Sequence, residues 1–182
     1  MAEKKKSRPY VNNKEFLEKM IEYKNEVRKA EDQGDERPRV PMYIGNCIMK
    51  IATHLSHKPN FINYTFREEM ISDGIENCLQ YIDNFNPEKS GNPFAYFTQI
   101  IYFAFIRRIQ KEKKHLYTKY KLSENANVFD MTSEKQAGDS KSYDDGIKYG
   151  EWSQEYMNDF INSFEENKRK KRVRKAVDEV IK

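Results

Sequence analysis

The sequence predicts an all-α protein, built as a small helical bundle. Three observations carry that expectation. Four stretches place apolar residues three and four apart, the spacing of a helix resting on a core. Pro, Gly and Asn separate those stretches where helices must stop. No alternating strand pattern runs longer than a few residues.

Residues 1–10 are polar and Lys-rich and read as a flexible arm. Asn12 or Asn13 can cap a first helix, whose apolar residues are Phe16, Leu17, Met20, Ile21 and Val27. Glu31 to Pro41 reads as a linker, with Gly34, Pro38 and Pro41 among charges. Tyr43 to His57 sets Ile44, Ile48, Ile51 and Leu55 on one face of a second helix. Thr65 with Glu68 forms a capping-box pattern. The third helix it would start runs to Phe85 and carries Met70, Ile71, Ile75, Cys78, Leu79 and Ile82. Gly74 sits inside it, at a cost of about 0.8–1 kcal/mol relative to Ala, which a close helix–helix approach would justify.

Asn86-Pro87 and Gly91-Asn92-Pro93 break the chain. Asn92 suits an N-cap and Pro93 a first helical position. The fourth helix, from Phe94 to Ile109 and on to Lys114, carries aromatics on more than one face. Either neighbours wrap it as a central core helix, or some rings stand out of the protein to stack on unpaired bases.

The folded domain is therefore expected over residues 11–122. Residues 123–150 read as an acidic linker: from Glu124 to Phe160 nine acidic residues face three basic ones. Residues 151–182 read as a tail that is first amphipathic, with Trp152, Tyr156, Met157, Phe160, Ile161 and Phe164. It then turns basic, with seven cations in the eight residues Lys168–Lys175. The extension as a whole is expected to be flexible.

Composition narrows the function. The chain has 182 residues, enough for one domain with tails, and a net charge of only +4, so the placement of charge matters more than its sum. Two cysteines within apolar helical patterns suit a reducing compartment. No apolar run reaches the ~20 residues that span a bilayer, and Met1–Pro9 has no signal-peptide core. No phosphate loop or nucleophile–base set argues for an enzyme, so no catalytic residue is expected. Cys47, His54 and His57 lack the spacing and fourth ligand of a zinc site. Glu68, Glu69, Asp73 and Glu76 share one helix side, but no Glu-x-x-His motif completes a carboxylate metal cluster. No metal or cofactor is expected. Arg107, Arg108, Lys111, Lys113, Lys114, Lys119 and Lys121 follow the aromatic helix as a positive stripe. That stripe suits phosphates; the plainer reading is a solvated helix end favoured by the helix dipole.

Several motifs together resemble a known family. Glu69-Met70-Ile71-Ser72-Asp73-Gly74, Asp83-Asn84-Phe85-Asn86, Pro93-Phe94-Ala95-Tyr96 and an apolar helix ending in Arg107-Arg108 resemble the second conserved region of bacterial sigma factors. Val11 to Glu15, Phe61 to Tyr64 and Arg108 to Glu112 extend the resemblance to the late-transcription branch from T-even-type phages, over roughly residues 10–125.

The resemblance implies a sigma region 2-type bundle that binds the largest-subunit coiled coil of host core RNA polymerase and melts the −10 element of late promoters. It puts Glu68, Glu69, Ser72, Asp73 and Leu79 at the polymerase, although the family commonly has Gln-Glu where this chain has Ser72-Asp73. It puts Tyr96 on a flipped base of the non-template strand. Gln99 falls where the family has a wedge tryptophan, and Phe103 and Ile106 where it reads the upstream pair; Arg107, Arg108, Lys111, Lys113 and Lys114 would hold phosphates. A clamp-binding motif of this branch is similar in type to Asp159, Phe160, Ile161 and Phe164, but the basic run follows it here. A sliding clamp, a co-activator and the cytoplasm of an infected bacterial host are implied with it. The alternative is a helical nucleic-acid-binding protein that ignores polymerase.

Overall fold

The computed structural model describes residues 9–125 and 143–180 and is all-helical among them. In chain order the elements are α1 (Asn13–Gln33), α2 (Met42–Ser56), α3 (Arg67–Gln80), a 3-10 turn at Ile82–Asn84, α4 (Pro93–Asn125) and α5 (Tyr143–Val180). The chain divides into two compact units, Met1–Ile109 and Gln110–Lys182. The expected domain end at residue 122 thus lies beyond the first unit. Most of the expected arm and most of the expected acidic linker, residues 1–8 and 126–142, lie outside the described residues. Where the linker was expected to run on to residue 150, α5 already begins at Tyr143. Among the described residues no helix is long and apolar enough to cross a membrane.

In the first unit, α1 starts where the sequence asks. The Asn12 side chain accepts from Lys14 N at 3.2 Å. It stops at Gly34, whose φ of 71° is the left-handed conformation that glycine adopts at least cost. Gly34 N donates to Glu31 O and Asp35 N to Ala30 O, which satisfies two terminal carbonyls. The buried stripe of α1 is Phe16, Met20, Tyr23 and Val27. Tyr23 takes the place expected of Ile21, which is 39% exposed. A tyrosine can enter because Arg37 donates to its hydroxyl at 3.3 Å.

The expected face of α2, Ile44, Ile48, Ile51 and Leu55, is buried with Cys47 and Ala52, and α2 packs on both α1 and α3. The capping box at Thr65 does not form. The helix starts two residues later, after Phe66, with no side-chain cap. Phe66 is partly buried against the core and its ring meets that of Tyr64, so packing sets the start. Glu68 and Glu69 then fall in the first turn, where the helix dipole favours carboxylates.

α3 also ends earlier than expected. Beyond Gln80 the chain tightens into the 3-10 turn, fastened from two sides. Lys24 Nζ donates to the carbonyls of Asp83 and Phe85, and Arg37 pairs with the Asp83 carboxylate at 2.6 Å. Burial pulls the Lys24 ammonium below its ordinary pKa, against the opposing pull of Asp83.

The start of α4 is capped twice. Ala95 N donates to Asn92 Oδ1 at 3.0 Å, and Phe94 N to Asn13 Oδ1 at 3.1 Å. Tyr96 N reaches Asn92 O, and Pro93 brings no N–H, so the first turn leaves no amide unsatisfied.

In the second unit the end of α4 lies against α5. Tyr117 stacks on Phe164 with centroids 4.5 Å apart, and Tyr120 meets Phe160 edge-on at 5.5 Å. Met157 and Ile161 are buried. Tyr117 donates to Glu165 at 2.8 Å, and Lys121 pairs with Glu124 and Glu165. The Tyr117 hydrogen bond holds the Glu165 carboxyl below its usual range.

Candidate functional site

The α3–α4 seam sets out which side chains face outward. A Cβ on Gly74 would lie 3.1 Å from Ile101 Cγ2 and 3.2 Å from Phe105 Cε1, so the two helices meet there almost backbone to side chain. Cys78 lies by Phe97 O at 3.9 Å, Tyr96 donates to Tyr81 O at 2.8 Å, and Arg108 Nε sits 2.9 Å from Asp73 Oδ2. Positions rising on α3 meet positions falling on α4, so the pair is antiparallel.

At about 100° per residue, Met70, Gly74 and Cys78 share the inner side of α3. Glu68, Glu69, Ser72, Glu76 and Leu79 share its outer side and are all exposed, Leu79 at 43%. Four of the five residues expected at a polymerase contact therefore lie on one open face. Asp73 does not. It points along the seam to Arg108, while the next turn's Asn77 accepts from Arg107 at 2.7 Å. Two arginines expected to hold DNA phosphates are thus engaged with α3.

On α4, Phe97, Ile101, Ala104 and Phe105 form the inner side and are buried. The opposite side presents Ala95, Gln99, Tyr102 and Phe103, all exposed, with Ile106 half-buried between them. Tyr102 and Phe103 expose 40% and 49% of their surface. One side of the aromatic helix is core and the other carries exposed rings, of which Tyr102 also meets the core ring of Phe61 edge-on at 5.7 Å.

Tyr96, the ring most expected to stand out, does not. It is half-buried, its hydroxyl is spent on Tyr81 O, and its ring lies against Phe85 with centroids 5.2 Å apart. Burial, with Cys78 nearby, raises its pKa. Tyr81 and Phe85 are fifteen and eleven residues away, but a turn brings them there, and no local pattern shows it. Tyr102 is the outward ring that the sequence reading missed. A count of helical angle from the Ile101 and Phe105 core face would have found it.

Lys111, Lys113 and Lys114 are exposed on the part of α4 that belongs to the second unit. Of the residues likened to a clamp motif, only Asp159 is exposed. Ile161 is 3% exposed, and Phe160 and Phe164 lie half-buried on Tyr120 and Tyr117. Among the described residues no three His, Cys, Asp or Glu side chains come together as a metal site. Both thiols are buried, and burial pushes that of Cys78 up to about 12. Neither a protein-family model nor a curated protein matches this sequence.

Proposed function

We propose that this protein is a minimal sigma-type factor without a catalytic step of its own. It binds bacterial core RNA polymerase through the outer side of α3 and holds the non-template strand of an AT-rich −10 element on the outer side of α4. The observation that carries the reading is the exposed set Gln99, Tyr102 and Phe103, on the side of α4 away from Phe97, Ile101 and Phe105, with Ile106 beside them packed against the core. The core uses only one edge of these rings, where Tyr102 meets Phe61 at 5.7 Å, and the exposed surface of Tyr102 and Phe103 is what single-strand binding needs. Unpairing a base costs a few kcal/mol, and stacking on a ring returns ~1–3 kcal/mol per base. Two rings come close to balance, so polymerase must position the surface and cations must tip it.

In this reading Tyr102 and Phe103 stack, Gln99 reaches a base edge, and Tyr96 positions the turn between α3 and α4. On α3, Glu68, Glu69, Ser72 and Leu79 make the polymerase contact, and Asp73 holds α4 in place. Engagement of a sliding clamp by Phe160, Ile161 and Phe164 would require the α4–α5 hairpin to open. The setting is the cytoplasm of an infected bacterium during late transcription.

The test is run-off transcription with purified core polymerase on supercoiled DNA that carries an AT-rich −10 element and no −35 element. Specific initiation that disappears with Glu69→Lys, while the helical circular dichroism is kept, supports the reading. A protein that binds DNA but does not bind core polymerase overturns it and leaves a polymerase-independent nucleic-acid-binding protein.

A further inference from the structure

The basic run Lys168–Lys175 is given no role by either face of the α3–α4 pair. Tyr117 lies on Phe164 and Tyr120 on Phe160, so the end of α4 and α5 run antiparallel. Continued by one turn, that register sets Lys113 of α4 level with Lys168 of α5, with Lys114 next to it on α4 and Lys171 one turn further along α5. All four are exposed. Charge is therefore segregated along the hairpin. Toward its α5-proximal end Lys121 is neutralised by Glu124 and Glu165. Toward the other, the cations of Lys111–Lys114 and Lys168–Lys175 outnumber Glu112, Glu166, Asp178 and Glu179, of which Glu166 pairs with Lys170 at 2.7 Å and Glu179 with Lys175 at 3.9 Å.

Like charges at helical spacing destabilise a helix. Neighbouring helices lie 8–10 Å apart, within about one Debye length at physiological salt. Such a surface is stabilised by a polyanion.

We propose that this two-helix cationic surface binds the phosphate backbone of duplex DNA without regard to sequence. Two features favour the duplex over other polyanions. The exposed stretch Lys168–Ala176 is basic on every side, with Val173 and Ala176 its apolar residues. A membrane-surface helix needs a whole apolar face. The rings Tyr117, Tyr120, Phe160 and Phe164 stack on one another. The exposed ring of Tyr156 stands twelve residues before Lys168, so none of these five rings gives a stacking platform within the basic run. A helix charged all round fits the major groove, whose two walls are phosphates. The site does not depend on the polymerase reading of the first unit.

The experiment is fluorescence anisotropy of the full-length protein, without polymerase, on a short GC-rich duplex between about 50 and about 200 mM salt. The triple variant Lys168→Gln/Lys171→Gln/Arg172→Gln is expected to weaken binding and to lower the slope of log K against log salt by ~0.9 per lost phosphate contact. Lys113→Gln/Lys114→Gln should do the same from the other helix, while Lys168→Arg/Lys171→Arg should keep both affinity and slope. Near-UV circular dichroism from the stacked rings checks that the hairpin persists; if the triple variant loses it, the α4 pair and the arginine variant decide. Unchanged affinity and slope in the glutamine variants overturn the proposal. So does binding to an equal-length single strand, or to phosphatidylserine vesicles, that is as tight as to the duplex and equally lost on substitution. None of these outcomes bears on whether Glu69 binds polymerase.

Discussion

Gly74→Ala puts two opposing effects on one atom. Replacing an internal helical glycine with alanine lowers unfolded-state entropy and favours the helix by about 0.8–1 kcal/mol. The added Cβ, however, would sit 3.1 Å from Ile101 Cγ2 and 3.2 Å from Phe105 Cε1, so both must retreat by a few tenths of an ångström. Neither is free to do so. Both are fully buried. Ile101 is β-branched and holds one preferred rotamer on a helix. Phe105 is braced edge-on by Phe61 with centroids 5.2 Å apart. Overpacking of this kind costs typically 1–3 kcal/mol, so the net expectation is a destabilisation of roughly 1 kcal/mol.

Gly45→Ala is the internal control. It lies in α2 with nothing within 4 Å of its added Cβ, so it should gain up to about 1 kcal/mol. Urea unfolding followed by helical circular dichroism measures both, as opposite shifts of midpoint at constant slope. Gly74→Ala stabilising as much as Gly45→Ala would refute the close α3–α4 approach and, with it, the separation of outer from inner faces. Gly74→Val should be worse than Gly74→Ala, since it adds volume and a stiff rotamer at the same point.

Phe103→Ala removes an exposed ring and should change unfolding by no more than about 0.5 kcal/mol, while Tyr102→Ala also removes the edge contact with Phe61 and should cost about 0.5–1.5 kcal/mol; at matched folded fraction, promoter opening by the polymerase complex should lose ~1–3 kcal/mol per stacked base, read by permanganate footprinting. Tyr96→Phe should act the other way round, lowering stability by about 1 kcal/mol through the lost bond to Tyr81 O with less effect on opening at matched folded fraction. Cys78 has its folded pKa raised from 9.0 to about 12 by burial. The unfolded thiol ionises first, so its contribution is fully present below pH about 9 and declines as pH rises toward about 12. The stability difference between the protein and Cys78→Ala, followed by urea unfolding across that range, should shrink with rising pH. Asn92→Ala and Asn13→Ala each leave one amide of the α4 first turn without its acceptor, and each should cost about 1 kcal/mol in the same assay.

Much of the fold was legible in the residues alone, because its causes lie within one helical turn. The Asn12 cap, the Asn92-Pro93 start and the α2 stripe are local patterns, and each stands where expected, whereas α1 runs on through Gln33, into the linker expected from Glu31, before Gly34 stops it. Gly74 raised the expectation of a close approach, and Ile101 and Phe105 supply it, whereas Gly45 inside α2 has no such neighbour. The outward acidic face of α3 was legible for the same reason, in all but one residue.

What only tertiary structure decided were choices that periodicity leaves degenerate. The aromatic helix is apolar on more than one side, so its pattern cannot say which side is core. Ile101 and Phe105 are chosen by Gly74, and Tyr102 and Phe103 are left outside by default. Tyr96 turns in because a distant carbonyl accepts its hydroxyl. Asp73 leaves the acidic face because Arg108 meets it across the seam, and Tyr23 enters the core because Arg37 satisfies its oxygen. Each outcome rests on a partner a turn or a helix away, and local sequence carries no record of that distance.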